Sequence, residues 1–436
     1  MSDRVRAAAL FAGLLIVYNS NGREIGNYDS QPTKYAAREL LLRGTLALNY
    51  VVGASPQLSE RSAFVVARDG RYRSAYSPVP AVAAAAISWP LWKTGLLDIQ
   101  APLGPNRIAK VAASSFTAAA VTLAFFTARR YAPSTRAMLI AVGLGLGTGY
   151  WSTVSQTLWQ HETAIFGLSM GVLAMTAPTR GASHLIALGI GLGLAGTSRP
   201  QLAPAVVVLL GAAFVREGWR RGIVPAAIAA AFGIALVVSN VQWFGSVLGA
   251  MPLLEALHPR VHATAGTFDL RSWGLAGLWL SPNRGLLVFS PIVAVAASGI
   301  PVLLRERWRS PLTHCAIAAV GQYVLYGCYA VWWGGHTYGP RYMLDVLPLV
   351  VPLAAAGMDG RQLPRAASAA GILVLAWSVG VSALGAFIFP NERWNLTPRD
   401  VDRNHERLWD WSDTQILRAW RTGPSPQNFS LFYADR

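Results

Sequence analysis

The sequence predicts an all-α polytopic membrane protein: a bundle of about eleven transmembrane helices with a large first extracytoplasmic loop that contains juxtamembrane helices and a small β-hairpin. Three observations lead there. Only 13% of the 436 residues are charged and 53% are hydrophobic, about half the charge density of a soluble domain. The mean hydropathy is +0.36. The apolar residues fall into long runs separated by short polar connectors, which excludes an ordinary cytosolic enzyme. The net charge of +16 is almost wholly arginine, because lysine occurs only at Lys34, Lys93 and Lys110. Cytoplasmic loops and the phosphate of a lipid are natural counterparts of that charge, and no basic run interleaved with exposed aromatic residues points to nucleic acid. Cys315 and Cys328 share one apolar segment, so neither a disulfide framework nor a zinc site is expected of them.

The first helix is read from Arg4 to Asn19. Its basic flank and short apolar core are those of a signal peptide, but Asn19-Ser20-Asn21-Gly22 offers no small-x-small cleavage site. It is therefore read as retained, with its N-terminus inside. Residues 77–95 carry Pro78, Pro80, Pro90, Trp89, Trp92 and Lys93 and are expected to lie at the outer interface without crossing. Further apolar spans lie near 107–127, 137–156, 160–177, 183–197, 201–215, 223–245, 286–304, 311–332, 342–358 and 366–389. Arg129, Arg130 and Arg136, then Arg180, then Arg216, Arg220 and Arg221, then Arg305, Arg307 and Arg309, then Arg361 and Arg365 fall on alternate connectors. All are cytoplasmic only if 77–95 does not span, which puts the C-terminus outside. The spans 183–197 and 201–215 are short, about 22 Å of helix against a core of about 30 Å. A re-entrant hairpin broken at Arg199-Pro200 would leave the parity unchanged. Residues 1–390 thus read as a transmembrane domain, with 19–106 as its first extracytoplasmic loop. Residues 391–436 read as an extracytoplasmic tail with an amphipathic helix bearing Trp409 and Trp411, capping a cavity or lying on the membrane. No repeat of fixed period is visible, nor the paired broken helices of an inverted-repeat transporter.

With this topology the unusual polar residues gather on the outer face. In the first loop, Thr33 to Leu42 has the spacing of a short amphipathic helix, and Asp69-Gly70 between two alternating segments signals a hairpin turn. Asp29 stands near the membrane surface, where a carboxylate can deprotonate a hydroxyl or hold a metal ion; a helix cap or a solvated loop residue is the alternative. Glu24 is a weaker candidate of the same kind. Trp159-Gln160-His161-Glu162 places ionisable groups at the start of an apolar helix, either as a retained functional site or as an aromatic belt with hydrated neighbours. Arg199 either snorkels or pairs with an anion. Asn283 and Arg284, and then His336, Tyr338 and Arg341, sit beside glycine and proline turns that can expose amides and a guanidinium to a phosphate; a proline-broken helix end is the plainer alternative. Asp345 is spaced to pair with Arg341 along a helix.

Taken together, GNYDSQPTKYAARELLLRG, RYRSAYSPVPAV, LWQHE, GTSRPQ, SPNRGLLVFSP and WWGGHTYGPRYMLDVLP resemble, in order and over most of the chain, bacterial membrane glycosyltransferases of the GT-C superfamily. The resemblance implies a GT-C-like bundle that transfers a sugar, with inversion, from a polyprenyl-phosphate donor to a glycan, lipid or protein acceptor on the extracytoplasmic face. It implies a multi-pass enzyme of the bacterial cytoplasmic membrane with its active site facing the periplasm or exterior. Asp29 aligns with the family's acidic base or metal ligand, and Glu162 is the reserve carboxylate. Arg199, Arg284, His336 and Arg341 are expected to hold the donor phosphate, and Glu24, Lys34, Gln160, His161, Asn283 and Tyr338 to contact substrate. Ser30 stands where many relatives have a second carboxylate, so a divalent cation (Mg or Mn, at Asp29 if anywhere) is left open, as are the sugar and the oligomeric state. No nucleotide cofactor is expected, since the chain has neither a P-loop nor a strand-turn-helix G-x-G-x-x-G. A transporter or flippase of lipid-linked sugars is the competing function. It should carry acidic residues at mid-membrane, whereas the acids here lie near span ends.

Overall fold

The structure, a computed structural model, describes residues 1–61, 63–178, 181–253, 267–270, 272–359 and 365–433. It is mostly helical, with one two-stranded sheet. Every expected apolar run contains helix, in the expected order, beginning with Asp3–Asn19. Among the described residues, however, four helices are long and apolar enough to cross a membrane: Gly104–Ala128, Pro200–Glu217, Trp219–Phe244 and Ser368–Phe387. The expected eleven are not reached by that measure, and the reason lies in the backbone. The 137–156 run is helical over Ser134–Leu146 and again over Gly149–Ser152, with Thr148 capping the second piece. The 286–304 run divides into Leu286–Phe289, a 3-10 stretch Pro291–Gly299 and Ile300–Leu303, because Pro291 and Pro301 cannot donate to the ladder. The 342–358 run begins as a 3-10 turn, Arg341–Asp345, before the helix Leu347–Gly357. At Arg199 the chain is extended between the helices Ala182–Ser198 and Ala203–Glu217, the break expected there.

The first loop forms its own apolar core. Gln31–Arg43 and Val79–Lys93 pack on each other and on Gly104–Ala128 through Ala36, Ala37, Ala81, Ala84, Ile108 and Ala112. The hairpin forms where expected, Phe64–Val66 against Tyr72–Ser74 with Val65 opposite Arg73, and Gly70 takes the left-handed φ of +72° that the turn needs. It docks on the end of Trp219–Phe244: the Arg68 amide donates to the Trp243 carbonyl at 2.7 Å, and the Arg73 guanidinium lies 4.3 Å over the Trp243 ring.

Four of the connector arginines share one end of the bundle. Arg129 bonds Asp3 at 2.8 Å, at the N-terminus of the first helix. Arg130 donates to the Leu173 carbonyl, Arg216 to Met175 and Arg136 to Met358. Each of those carbonyls ends a helix, where free acceptors and the dipole favour a cation. Arg180 and Arg361 lie outside the described residues. At the other end Asn21 donates to Gln156 (2.7 Å) and to the Ala386 carbonyl (2.8 Å), joining the ends of the first and last long helices.

Candidate functional site

Asp29 lies at that second end, in the 3-10 turn Tyr28–Ser30 that Asn27 and Ser30 cap reciprocally. It caps no helix itself: the following helix, Gln31–Arg43, starts without a side-chain cap. Its carboxylate is 45% exposed and its Oδ2 lies 4.0 Å from an Arg341 guanidinium nitrogen. Burial, together with the Asp29 charge nearby, pushes the Tyr76 phenol well above the usual tyrosine range. Arg341 is 11% exposed and lies 4.8 Å over the Trp159 ring and 5.5 Å over the Tyr342 ring. Its Nε has no hydrogen-bond partner among the described residues. A half-exposed carboxylate and a largely buried guanidinium therefore face each other at ion-pair distance.

Below this pair lies a buried charge network. His161 Nδ1 lies 2.7 Å from Asp345 Oδ1, Arg199 Nε lies 2.9 Å from Asp345 Oδ2, and the Tyr326 hydroxyl donates to the same oxygen at 2.6 Å. An Arg199 N–H points at His161 Nε2, at 3.2 Å. That pattern selects the neutral imidazole with Nδ1 protonated. Asp345 thus neutralises Arg199 rather than Arg341, correcting the helical pairing expected for it. Arg199 has its anion already, inside the protein.

Other expected ligands are committed elsewhere. Glu162 is fully buried and accepts the amides of Trp159 (3.1 Å) and Gln160 (3.1 Å), closing a turn in which Gln160 has a left-handed φ of 95°. Such strain persists only where surroundings over-determine it, so Glu162 builds the turn that presents Trp159 and does not stand free as a base. Arg284 is fully buried, donating to the carbonyls of Trp333, Asn283 and Gly335 and to Gln415 and Asn395. Asn283 bonds the backbone of Arg407, Asp410 and Gln415. Both hold the C-terminal tail in place of a phosphate. Tyr338 turns into the core, 2% exposed, with its hydroxyl on the Val381 carbonyl. Glu24, partly buried, is bonded by the buried Lys34 (3.2 Å) and Thr157.

His336 is partly exposed beside Asp400 and Asp402 of the tail, and its carbonyl accepts from the Asn27 side chain at 3.2 Å, next to Asp29. Sequence reasoning passed over Tyr76, Lys110, Asp400 and Asp402. Lys110 was visible as a lone cation in an apolar run; it is buried and donates to Asn21 (2.9 Å) and Gln156 (2.5 Å). Asp400-Val401-Asp402 had the D-x-D spacing of a ligand pair but sat among ordinary tail charges.

No protein-family model matches the chain, and no curated protein matches it. Solved structures do. The chain is similar to ArnT from Cupriavidus metallidurans bound to undecaprenyl phosphate, with a TM-score of 0.51 and 14% identity over 98% of this chain and 76% of that one. It is similar also to the oligosaccharyltransferase AglB from Archaeoglobus fulgidus in complex with an inhibitory peptide and a dolichol-phosphate (TM-score 0.52, 10% identity, 97% of this chain and 61% of that one). A third likeness is to the oligosaccharyltransferase of the same organism in complex with zinc and sulfate (TM-score 0.52, 14% identity, 97% and 58%). The chain spans less than two thirds of the length of either archaeal structure. These likenesses, at 10–14% identity, show a shared fold.

Proposed function

We propose that this chain is a glycosyltransferase that moves a sugar, with inversion, from a polyprenyl-phosphate donor to an acceptor hydroxyl or amide on the outer face of a bacterial cytoplasmic membrane. The observation that carries the proposal is Arg341. Of the three arginines expected to bind phosphate, Arg199 is neutralised by Asp345 and Arg284 is spent on carbonyls and amides, while Arg341 faces the half-exposed carboxylate of Asp29 at ion-pair distance. The neighbours with bound undecaprenyl phosphate and dolichol-phosphate support a lipid-phosphate donor.

In this reading the acceptor nucleophile attacks the anomeric carbon, the bond from that carbon to the phosphate oxygen breaks, and the electron pair leaves on the phosphate. Arg341 stabilises the charge that grows there, in a site partly dehydrated by Trp159 and Tyr342. Asp29 takes the proton lost by the acceptor. Among the described residues Asp29 belongs to no cluster of three metal-ligating side chains, and of its two expected roles, base or metal ligand, it is taken here as the base. His336 and Asn27 form the adjoining wall, with Asp400 and Asp402 of the tail beside His336.

The test is transfer by purified protein in nanodiscs from a panel of polyprenyl-phosphate hexoses and pentoses. Asp29→Asn is expected to lower kcat by about 10²–10⁴-fold with donor affinity retained. Arg341→Ala is expected to weaken donor binding and transfer together. Donor binding without transfer to any acceptor, or full turnover by Asp29→Asn, defeats the assignment in favour of translocation.

A further inference from the structure

The tail brings a second chemical cluster to the outer face. His336 Nε2 lies 3.0 Å from Asp400 Oδ1 and 3.3 Å from Asp402 Oδ2, and one ligand atom from each residue lies within 4.8 Å of the others. Donors about 2.0–2.2 Å from a tetrahedral zinc ion stand roughly 3.3–3.6 Å apart along the edges, so the two His–Asp separations are close to those of ligands awaiting an ion. The electrostatics point the same way. In a chain of net charge +16, no arginine or lysine among the described residues lies within ion-pair distance of Asp400 or Asp402. Two carboxylates share one imidazole, leaving net negative charge even when the ring is protonated. Arg284, the buried guanidinium whose field reaches Asp402, has its donors committed elsewhere. The Trp333 indole donates to Asp402 Oδ1 at 2.7 Å, which holds the other oxygen, Oδ2, toward His336 in the way an outer-shell donor orients a metal-bound carboxylate. All three residues are partly exposed.

We propose that His336, Asp400 and Asp402 bind one divalent transition-metal ion of the Zn²⁺ class, one nitrogen and two carboxylate oxygens being a ligand set suited to it. The ion pins the tail to the 332–341 turn that carries Arg341, and so shapes the site's wall without touching Asp29. The proposal stands independently of the transferase reading, because binding is measured with no donor present.

The experiment uses the full chain, stripped by chelator and titrated with ZnCl₂ by calorimetry, with thermal melts alongside. The wild type is expected to bind one ion per chain and to melt higher with metal. The double variant Asp400→Asn/Asp402→Asn, melting like the stripped wild type, is expected to lose at least about tenfold in affinity and the metal-dependent shift. His336→Gln, which keeps both carboxylates, serves if the double variant does not fold, with the same loss expected. Asp29→Asn is expected to bind as the wild type does. Absence of one-per-chain binding, undiminished binding by the cluster variants, or loss of binding by Asp29→Asn would each overturn the site.

Discussion

Arginines of equal formal charge do different work here because their N–H groups meet different partners. Arg199 is 5% exposed and depends on Asp345, which is wholly buried. Removing one member of a buried ion pair leaves the other charge without compensation, at a cost of roughly 3–5 kcal/mol. Asp345→Ala is therefore expected to lower thermal stability in detergent sharply, and Arg199→Gln/Asp345→Asn to lose less than the sum of its single changes; additivity would show that the pair is not coupled. The residue types of this network were legible, since His161, Arg199 and Asp345 stand out in apolar sequence, but their pairing was not. Asp345 was matched to Arg341 on α-helical spacing, which puts i and i+4 on one face. The segment Arg341–Asp345 is a 3-10 turn of three residues per revolution, so the fifth residue points about 120° away from the first. Arg341 reaches outward to Asp29, and Asp345 turns inward to Arg199 and His161.

At the scale of elements, the C-terminal tail is docked by polar contacts around Gln415. Its amide oxygen accepts from Arg284 (3.1 Å) and the Gly339 amide (3.2 Å), and its amide nitrogen donates to the Thr337 carbonyl (3.0 Å) and Glu392 (3.2 Å). The sequence signalled an amphipathic helix with Trp409 and Trp411; the helix is Gln415–Thr422, Trp409 ends a 3-10 turn and Trp411 precedes the helix. Aromatic residues dominated that reading, whereas a single buried glutamine has no periodic signature. Glu392 gives the docking a pH dependence. Burial raises its carboxyl above the ordinary glutamate range, against the smaller opposing effect of the Gln415 bond. The folded state then favours the protonated form, so stability is fullest below the unfolded-state value and declines as pH rises through the raised folded-state value. Glu392→Gln is expected to flatten the melting temperature across that window and to melt higher than the wild type at neutral pH. An unchanged profile would mean that Glu392 titrates alike in both states.

Across the whole molecule, a group of connector arginines lies at the end opposite the Asp29–Arg341 pair. Arg129, Arg130, Arg136 and Arg216 bind helix ends at one pole, while Asp29, Arg341 and His336 occupy the other. The alternation of arginines along the chain leads one to expect Arg129, Arg130, Arg136 and Arg216 on one side, and these four do share one end. The number of full spans was less legible, since Gly147, Pro291 and Pro301 divide apolar runs that hydropathy alone reads as continuous. The parity is directly testable, because the native thiols Cys315 and Cys328 are buried and give little background. Leu96 is 77% exposed before the helix Gly104–Ala128, and Thr135 is exposed just beyond its far end. In intact cells a membrane-impermeant maleimide is expected to label Leu96→Cys and to reach Thr135→Cys only after permeabilisation. The reverse pattern would put the arginine pole outside and the Asp29–Arg341 site in the cytoplasm, where a nucleotide-sugar donor would have to be tested in place of an extracytoplasmic lipid-phosphate one.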